Sequence, residues 1–269
     1  MLNGTLSRIR IYPIKSLDPV DLTRARVGSR SLLYDRSMAI VADDGRYVNG
    51  KRTGRVNQLQ ADYDLDNKRV WFSRRGQPER HGFHWHEDQI AVEQYLSDFF
   101  EMNVRLAYSD RGELMDMPDA SSVTVLSSAS LESFLPDMPG KTLEDLRLRF
   151  RANLEIEGIP AFGEEELCSE PGSGVRFQIG EVEMIGISPR ARCNVPPRDP
   201  FTGETDKSFI KSMIQSRAAT LPAGSRIPEY GSLYYLTVNV LIPDGQETKS
   251  LSVGDRVRVL GPVQFEQAG

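Results

Sequence analysis

Two cysteines and three histidines are all the thiol and imidazole side chains that the 269 residues offer. Cys168 and Cys193 are too few for a disulfide framework, and neither has zinc or iron–sulfur spacing around it. Long apolar runs are also missing. No window approaches the ~18 consecutive apolar residues of a membrane span. Met1 to Ile14 alternates charged with apolar residues and lacks the apolar centre of a secretory signal. No glycine-rich loop of the P-loop or dinucleotide type is present, so a nucleotide phosphate cradle has no support. Basic residues are outnumbered, 33 Lys and Arg against 38 Asp and Glu, for a net charge of -5. That balance excludes broad nucleic-acid affinity and leaves room for a local basic pocket. The expectation is a cytoplasmic protein with reduced thiols that engages neither nucleic acid nor membrane.

The length is long for one core and comfortable for two domains. Residues 187 to 204 organise the rest. Arg190 and Arg192 precede Cys193, Arg198 follows it, and Pro189, Pro196, Pro197 and Pro200 deny a regular ladder, so a shaped loop is expected. A thiol beside fixed positive charge is favoured as thiolate, hence as a nucleophile or soft metal ligand. The competing reading is a small packed cysteine whose arginines face water. Cys168, inside Glu-Glu-Glu-Leu-Cys-Ser-Glu, sits among like charge that raises a thiol pKa, and reads as structural.

Period-two alternation over Leu6 to Tyr12 predicts a half-buried strand ended by Pro13. Lys15 and Ser16 follow in a turn that is either solvated or anion-binding. Val20 to Val27, Ser37 to Ala42 and Val70 to Ser73 read as further short strands, with Asp43-Asp44-Gly45 as a hairpin turn. Such a run suggests a small barrel or sandwich. Glu87 to Glu101 predicts an amphipathic helix, and Arg105 to Asp119 a linker or long crossing loop. Val123 to Leu126 reads as a strand, followed by a helix that Ser127 or Ser128 caps. Leu146 to Glu157 alternates strictly and predicts a strand with Arg147, Arg149 and Arg151 on its outer face, as an exposed edge or the wall of an anion pocket. Val175 to Ile179 and Glu181 to Ile187 predict a hairpin leading into the cysteine loop. A helix is expected over Lys207 to Ala219, and closing strands over Leu233 to Leu241 and Arg256 to Leu260. His81, His84 and His86 crowd into six residues; two would share a strand face, but the tract reads as a strand edge with rings outward rather than a metal site.

Several segments line up in order with one family. Ile11-Tyr12-Pro13-Ile14-Lys15-Ser16 and Tyr34-Asp35-Arg36 resemble the N-terminal β domain of MOSC proteins. Val125-Leu126-Ser127-Ser128, Arg149-Phe150-Arg151-Ala152-Asn153, Pro189-Arg190-Ala191-Arg192-Cys193, Asp199-Pro200-Phe201-Thr202-Gly203 and Val253-Gly254-Asp255 resemble the MOSC domain itself, the molybdenum cofactor sulfurase C-terminal type. The resemblance implies a mainly β protein with α segments (α+β). An N-terminal β-barrel-like domain, residues 1–112, would pack on a MOSC mixed β-barrel, residues 113–265, with the cofactor in the cleft between them.

It further implies a molybdenum cofactor, a molybdenum bound to a pyranopterin, with Cys193 as metal ligand and catalytic residue. Cofactor contacts would fall at Lys15, Ser16, Arg36, Asp119, Arg151, Asn153, Ala191 and Arg192. Lys and Arg suit the pterin phosphate, and Asp and Asn suit its ring edge. The implied activity is reduction of N-oxygenated, N-hydroxylated compounds, with electrons from a separate ferredoxin- or flavoprotein-type partner. Two other readings stay open. One is a carrier of sulfur or cofactor on Cys193 without turnover; the other is a non-catalytic small-anion binding module.

Overall fold

The computed structural model describes residues 2–111, 114, 123–169 and 172–264. Strand β1 (Asn3–Ile11) ends where Pro13 removes a donor, and β2 (Val20–Leu22) folds back on it, with β3 (Arg24–Arg26) close behind. Then come β4 (Met38–Ala42), β5 (Leu59–Asp64), β6 (Arg69–Arg74) and β7 (His81–His84), helix α1 (Gln89–Phe100), and β8 (Val104–Tyr108). β5, β6 and β7 form an antiparallel meander, and β4 pairs with β8. Helix α1 lays Val92, Leu96, Phe99 and Phe100 against Ile40, Phe72 and Leu106, giving this unit its own core. β8 corrects the expectation of a linker beginning at Arg105. Leu106 is buried and Arg105 exposed, so the alternation there is that of a strand paired along one edge.

The second half contains β9 (Val123–Ser127), α2 (Ser128–Glu132), α3 (Leu143–Phe150), β10 (Leu154–Glu157), β11 (Ser173–Ile179), β12 (Val182–Ala191), α4 (Phe209–Thr220), β13 (Tyr235–Leu241), β14 (Ser250–Ser252) and β15 (Arg256–Gln264). Pairing runs β10-β9-β13-β12-β11-β15-β1 and returns from β1 to β10, so seven strands close a ring. Only β9 and β10 run parallel, which makes it a mixed barrel. Leu6, Ile9, Val125, Leu154, Phe177 and Val238 fill it. β1, first in the chain, is thus a stave of the barrel that the second half builds. A third cluster, Leu131, Phe134, Leu146, Phe150, Phe209 and Met213, seats the helices on the outside. Among the described residues, no helix is long and apolar enough to cross a membrane.

Two expected elements differ. Leu146 to Glu157 is not one strand: α3 occupies residues 143–150 and only Leu154–Glu157 extends. Thr142 caps α3 by accepting from Asp145 N–H (3.1 Å), Glu144 and Asp145 fill its first turn, and Arg151 ends it in the left-handed region. Leu146 and Phe150 stand four apart and satisfy a helix face as well as a strand face. The cysteine stretch differs too. β12 continues to Ala191 through Pro189, which pairs with Val238 between two register shifts that relieve the ladder of the missing donor. Ser127 does not cap α2 with its hydroxyl, which donates to the carbonyls of Ile159 (3.4 Å) and Pro160 (3.2 Å).

Candidate functional site

Between the N-terminal unit and the mouth of the barrel lies a cleft of about 430 Å³. The N-terminal side contributes Lys15, Arg36 and Lys51; the barrel side contributes Arg149, Arg151, Arg190 and Arg192. No aspartate or glutamate is among the described residues that line it. In a chain of net charge -5, this is the local positive field that bulk composition hides.

Backbone conformation places the N-terminal side chains. After Pro13, Ile14 bridges to Met38, and Lys15 N–H donates to Met38 O (2.8 Å). Lys15 is 8% exposed, its Nζ donating to Leu114 O (2.9 Å) and lying 4.3 Å from the Tyr47 ring. Ser16 has φ +70° and accepts from Gly50 N–H (3.4 Å). Arg36, also at positive φ, is ion-paired to buried Asp35, which accepts from Tyr12 N–H (2.8 Å). Its guanidinium also donates to Asn153 Oδ1 (3.1 Å) and Arg151 O (3.3 Å), tying the N-terminal unit to the α3–β10 junction.

Because α3 stops at Arg151, its arginines diverge. Arg147 turns to Glu155 (2.7 Å), Arg149 goes under the cysteine loop, and Arg151 enters the cleft, donating to Leu17 O (2.8 Å). Burial depresses the Arg151 pKa, and adjacent Arg36 adds to the effect. Asn153 is 2% exposed, and its Oδ1 accepts from Thr124 N–H (3.2 Å) as well as from Arg36. Its Nδ2 donates to Arg10 O (3.1 Å). Asn153 therefore fixes the cleft floor with its oxygen and has only one amide hydrogen left to offer a ligand.

Cys193 is exposed, two residues past the end of β12. Arg192 anchors the approach: its N–H donates to Tyr234 O (3.0 Å) and its Nη2 to Phe150 O (2.7 Å). Burial lowers the Arg192 pKa to about 10, with repulsion from Arg190 contributing. Tyr234 donates its hydroxyl to Cys193 O (3.1 Å). Arg149, 3% exposed, donates to the carbonyls of Pro196 (3.0 Å) and Arg198 (2.7 Å) and pairs with Asp145 (2.7 Å). Beyond it, Asp199 accepts from Phe201 and Thr202 N–H (2.9 and 2.8 Å), which coils Asp-Pro-Phe-Thr-Gly into a compact loop. Arg198 carries that loop to the N-terminal unit, donating to Gly50 O (2.7 Å).

Of the residues singled out from sequence, Lys15, Ser16, Arg36, Arg151, Asn153, Ala191, Arg192 and Cys193 all line this one cleft. Asp119 lies outside the described residues. Asn49, Lys51, Ser188, Tyr230, Tyr235 and Asn239 line it too and carried no motif of their own. The alternation predicts Arg149 as an outward strand residue, whereas it is buried beneath the cysteine loop. The histidines lie elsewhere: His81 packs on Tyr95, and His84 Nδ1 accepts from Glu87 N–H (3.1 Å). No metal-holding group of His, Cys, Asp and Glu occurs among the described residues.

Fold and cleft define a class: a closed mixed β-barrel, an N-terminal β unit across its mouth, and between them a basic cleft with no carboxylate among its described lining residues and a thiol on its rim. The chain belongs to the MOSC family. Residues 3–103 match the MOSC N-terminal beta barrel domain and residues 113–258 the MOSC domain. Mitochondrial amidoxime reducing component 2 from Bos taurus is 25% identical, aligned over 94% of this chain and 82% of its own length. Molybdenum cofactor sulfurase from Homo sapiens is also 25% identical, over 81% of this chain but 29% of its own, so the chain spans less than a third of that relative. Among solved structures, the YUAD protein from Bacillus subtilis covers 98% of both chains at TM-score 0.41 and 10% identity, too distant to bear on the site.

Proposed function

We propose that this chain holds a molybdenum–pyranopterin cofactor in the cleft and reduces N-hydroxylated compounds, drawing electrons from a separate ferredoxin- or flavoprotein-type partner. The observation that carries this reading is the exposed Cys193 on the rim of a cleft lined by cations and no described carboxylate. The donor set fits the group. Lys15, Arg36, Arg151 and Arg192 suit its phosphate, while Ser16 and the free amide hydrogen of Asn153 suit its ring edge. Arg192 Nε is buried and has no hydrogen-bond partner among the described residues, an orphan donor that an anionic ligand would satisfy. Asp119 and the backbone at Ala191 complete the proposed set, with Cys193 as the metal ligand. Relatives named amidoxime reducing component, matched over most of both chains, support the substrate class.

When bound, that group supplies two-electron redox chemistry. In the net reaction the N–O bond breaks, two electrons and two protons enter, and the oxygen leaves as water. The chain's part is positional. Arg149 and Tyr234 hold the Cys193 loop by its carbonyls, and Asn153 locks Arg36 against the barrel.

Protein expressed with cofactor supply should contain close to stoichiometric molybdenum, and Cys193→Ala should contain almost none. Wild-type protein without molybdenum or pterin overturns the proposal. The sulfurase relative and the exposed thiol favour one rival, a carrier of sulfur or cofactor. An added sulfur on Cys193 by mass spectrometry, with no amidoxime reduction from any reduced dye or protein donor, would select it.

A further inference from the structure

Strand β13 contains one residue in a conformation that strands do not ordinarily hold. Thr237 has φ +73° and is 3% exposed. Among the described non-glycine residues at positive φ, it alone is β-branched and it alone lies inside a strand. A branched Cβ there crowds the backbone, so the conformation is strained, while glycine would take it freely. Pro189 stands opposite Val238 and Ala191 opposite Tyr235, so Arg190 by itself faces both Leu236 and Thr237, a bulge on β13. Residues two apart in a regular strand share a face. Across Thr237 they do not: Val238 packs in the barrel core, whereas Leu236 joins Phe150 and Phe209 in the outer helix cluster.

We propose that Thr237 is a positioning residue: its hydroxyl, held in place by the strained backbone, orients Arg192 toward the anionic ligand of the cleft. The inference rests on the reading of the cleft as a cofactor site and adds to it the residue that sets one of its donors. Arg192 lines the cleft and is tied at three points. Its backbone N–H donates to Tyr234 O (3.0 Å), its Nη2 to Phe150 O (2.7 Å) and its Nη1 to Thr237 Oγ1 (3.5 Å). Tyr234 and Thr237 lie on either side of Leu236, which packs with Phe150. All three acceptors therefore depend on the course β13 takes through its kink. What is left is Nε, buried and without a hydrogen-bond partner among the described residues. A planar guanidinium fixed at both outer nitrogens holds its remaining N–H in one direction, and a donor ordered in advance loses less freedom when an anion arrives. Glycine at 237 would relax the backbone but remove the acceptor of Nη1. Threonine keeps the strain and supplies the hydroxyl.

The test uses cofactor-free protein and inorganic phosphate, with affinity read by phosphorus NMR titration and stability by the urea midpoint without phosphate. Thr237→Gly and Thr237→Val both lack the hydroxyl, and each should bind phosphate about fivefold more weakly than wild type, the scale of one hydrogen bond. Thr237→Ser keeps the hydroxyl and should bind within about twofold of wild type. Thr237→Gly should leave the urea midpoint at or above that of wild type, since relief of strain offsets the lost side chain. Affinity then falls while stability does not, which a merely structural threonine would not produce. Added to Arg192→Gln, Thr237→Gly should weaken phosphate little further, because the two act through one contact. Circular dichroism accompanies each variant. No phosphate binding by wild type, equal affinities throughout, Thr237→Ser as weak as Thr237→Gly, affinity lost only in step with the midpoint, or additive losses in the double variant each overturn the assignment. None of these measurements needs molybdenum. Wild type that takes up molybdenum while the Thr237 variants bind phosphate as it does keeps the cofactor reading and removes this inference. Hydroxyl-dependent phosphate binding by protein that takes up neither molybdenum nor pterin does the reverse.

Discussion

The guanidinium of Arg151 lies 3.9 Å from the centroid of the Tyr12 ring. Arg36 approaches the same ring at 5.0 Å, so two cations from distant parts of the chain share one aromatic partner under the cleft. The ring's negative face offsets a repulsion that the site does not neutralise with carboxylates alone. Tyr12 is fully buried, yet its hydroxyl has no hydrogen-bond partner among the described residues. Tyr12→Phe should therefore change stability by less than about 1 kcal/mol, since it removes an unsatisfied polar atom. Tyr12→Leu, which removes the ring, should cost about 2–4 kcal/mol in urea unfolding. Equal losses in the two variants would mean that the hydroxyl, not the ring, matters.

The loop after the thiol docks through glycine. A methyl on Gly54 would sit 2.7 Å from Gly203 O, and one on Gly203, at φ +78°, would press still harder on Gly54 O. Gly203→Ala should destabilise the protein by roughly 2 kcal/mol or more, combining backbone strain with a clash. Hydrogen exchange should show lost protection at Gly203 and Asp206 amides, which donate to Asp199 and Pro197. Unchanged exchange there would refute the docking role.

Glu164 is 1% exposed and hydrogen-bonded by Ser130 (2.7 Å), with Glu165 and the buried Arg217 as its charged neighbours. Burial raises its pKa from 4.5 to about 7. The folded state therefore holds this proton more tightly than the unfolded state does. The stability it contributes is present below about pH 4.5 and lost as pH rises through 7, a swing of at most roughly 3 kcal/mol. Urea midpoints should fall from pH 5 to pH 8, and Glu164→Gln should flatten that fall. A slope left intact in the variant assigns the dependence to another group.

The two thiols should behave oppositely. Cys193 is exposed, while burial, with Glu165 and Glu164 adding to it, pushes the Cys168 thiol well above its ordinary value. Iodoacetamide should label native protein once, at Cys193, and Cys193→Ala only after unfolding. Loss of so exposed a side chain should shift stability by less than about 0.5 kcal/mol. Labelling of Cys168 in the folded protein would contradict this.

Much of the site was legible before the fold because its residues lie in short local turns. Pro13 and the Lys15-Ser16 pair, and Asp35-Arg36, act through backbone that a few neighbours determine. Arg149 was not legible that way. Its neighbours satisfy both a two-residue and a four-residue period, and what settles the matter is the Thr142 cap and the carbonyls of Pro196 and Arg198, nearly fifty positions on. Ser188, Asn239 and Tyr235 come together only through the β12–β13 register, which no local pattern specifies. The alternation over Arg105 to Tyr108 was there to be read as β8, but its partner β4 lies more than sixty residues earlier.

Strand β1 precedes both of its barrel neighbours in the chain, and the second of them, β15, is made long after β10. The annulus is therefore sewn shut by two strands far apart in sequence, a high-contact-order closure that makes for slow folding. A fragment starting after residue 112 would leave β10 and β15 with bare edges, the kind that recruit foreign strands. In this architecture the leading segment works like a zip fastener, and cutting it away opens the vessel.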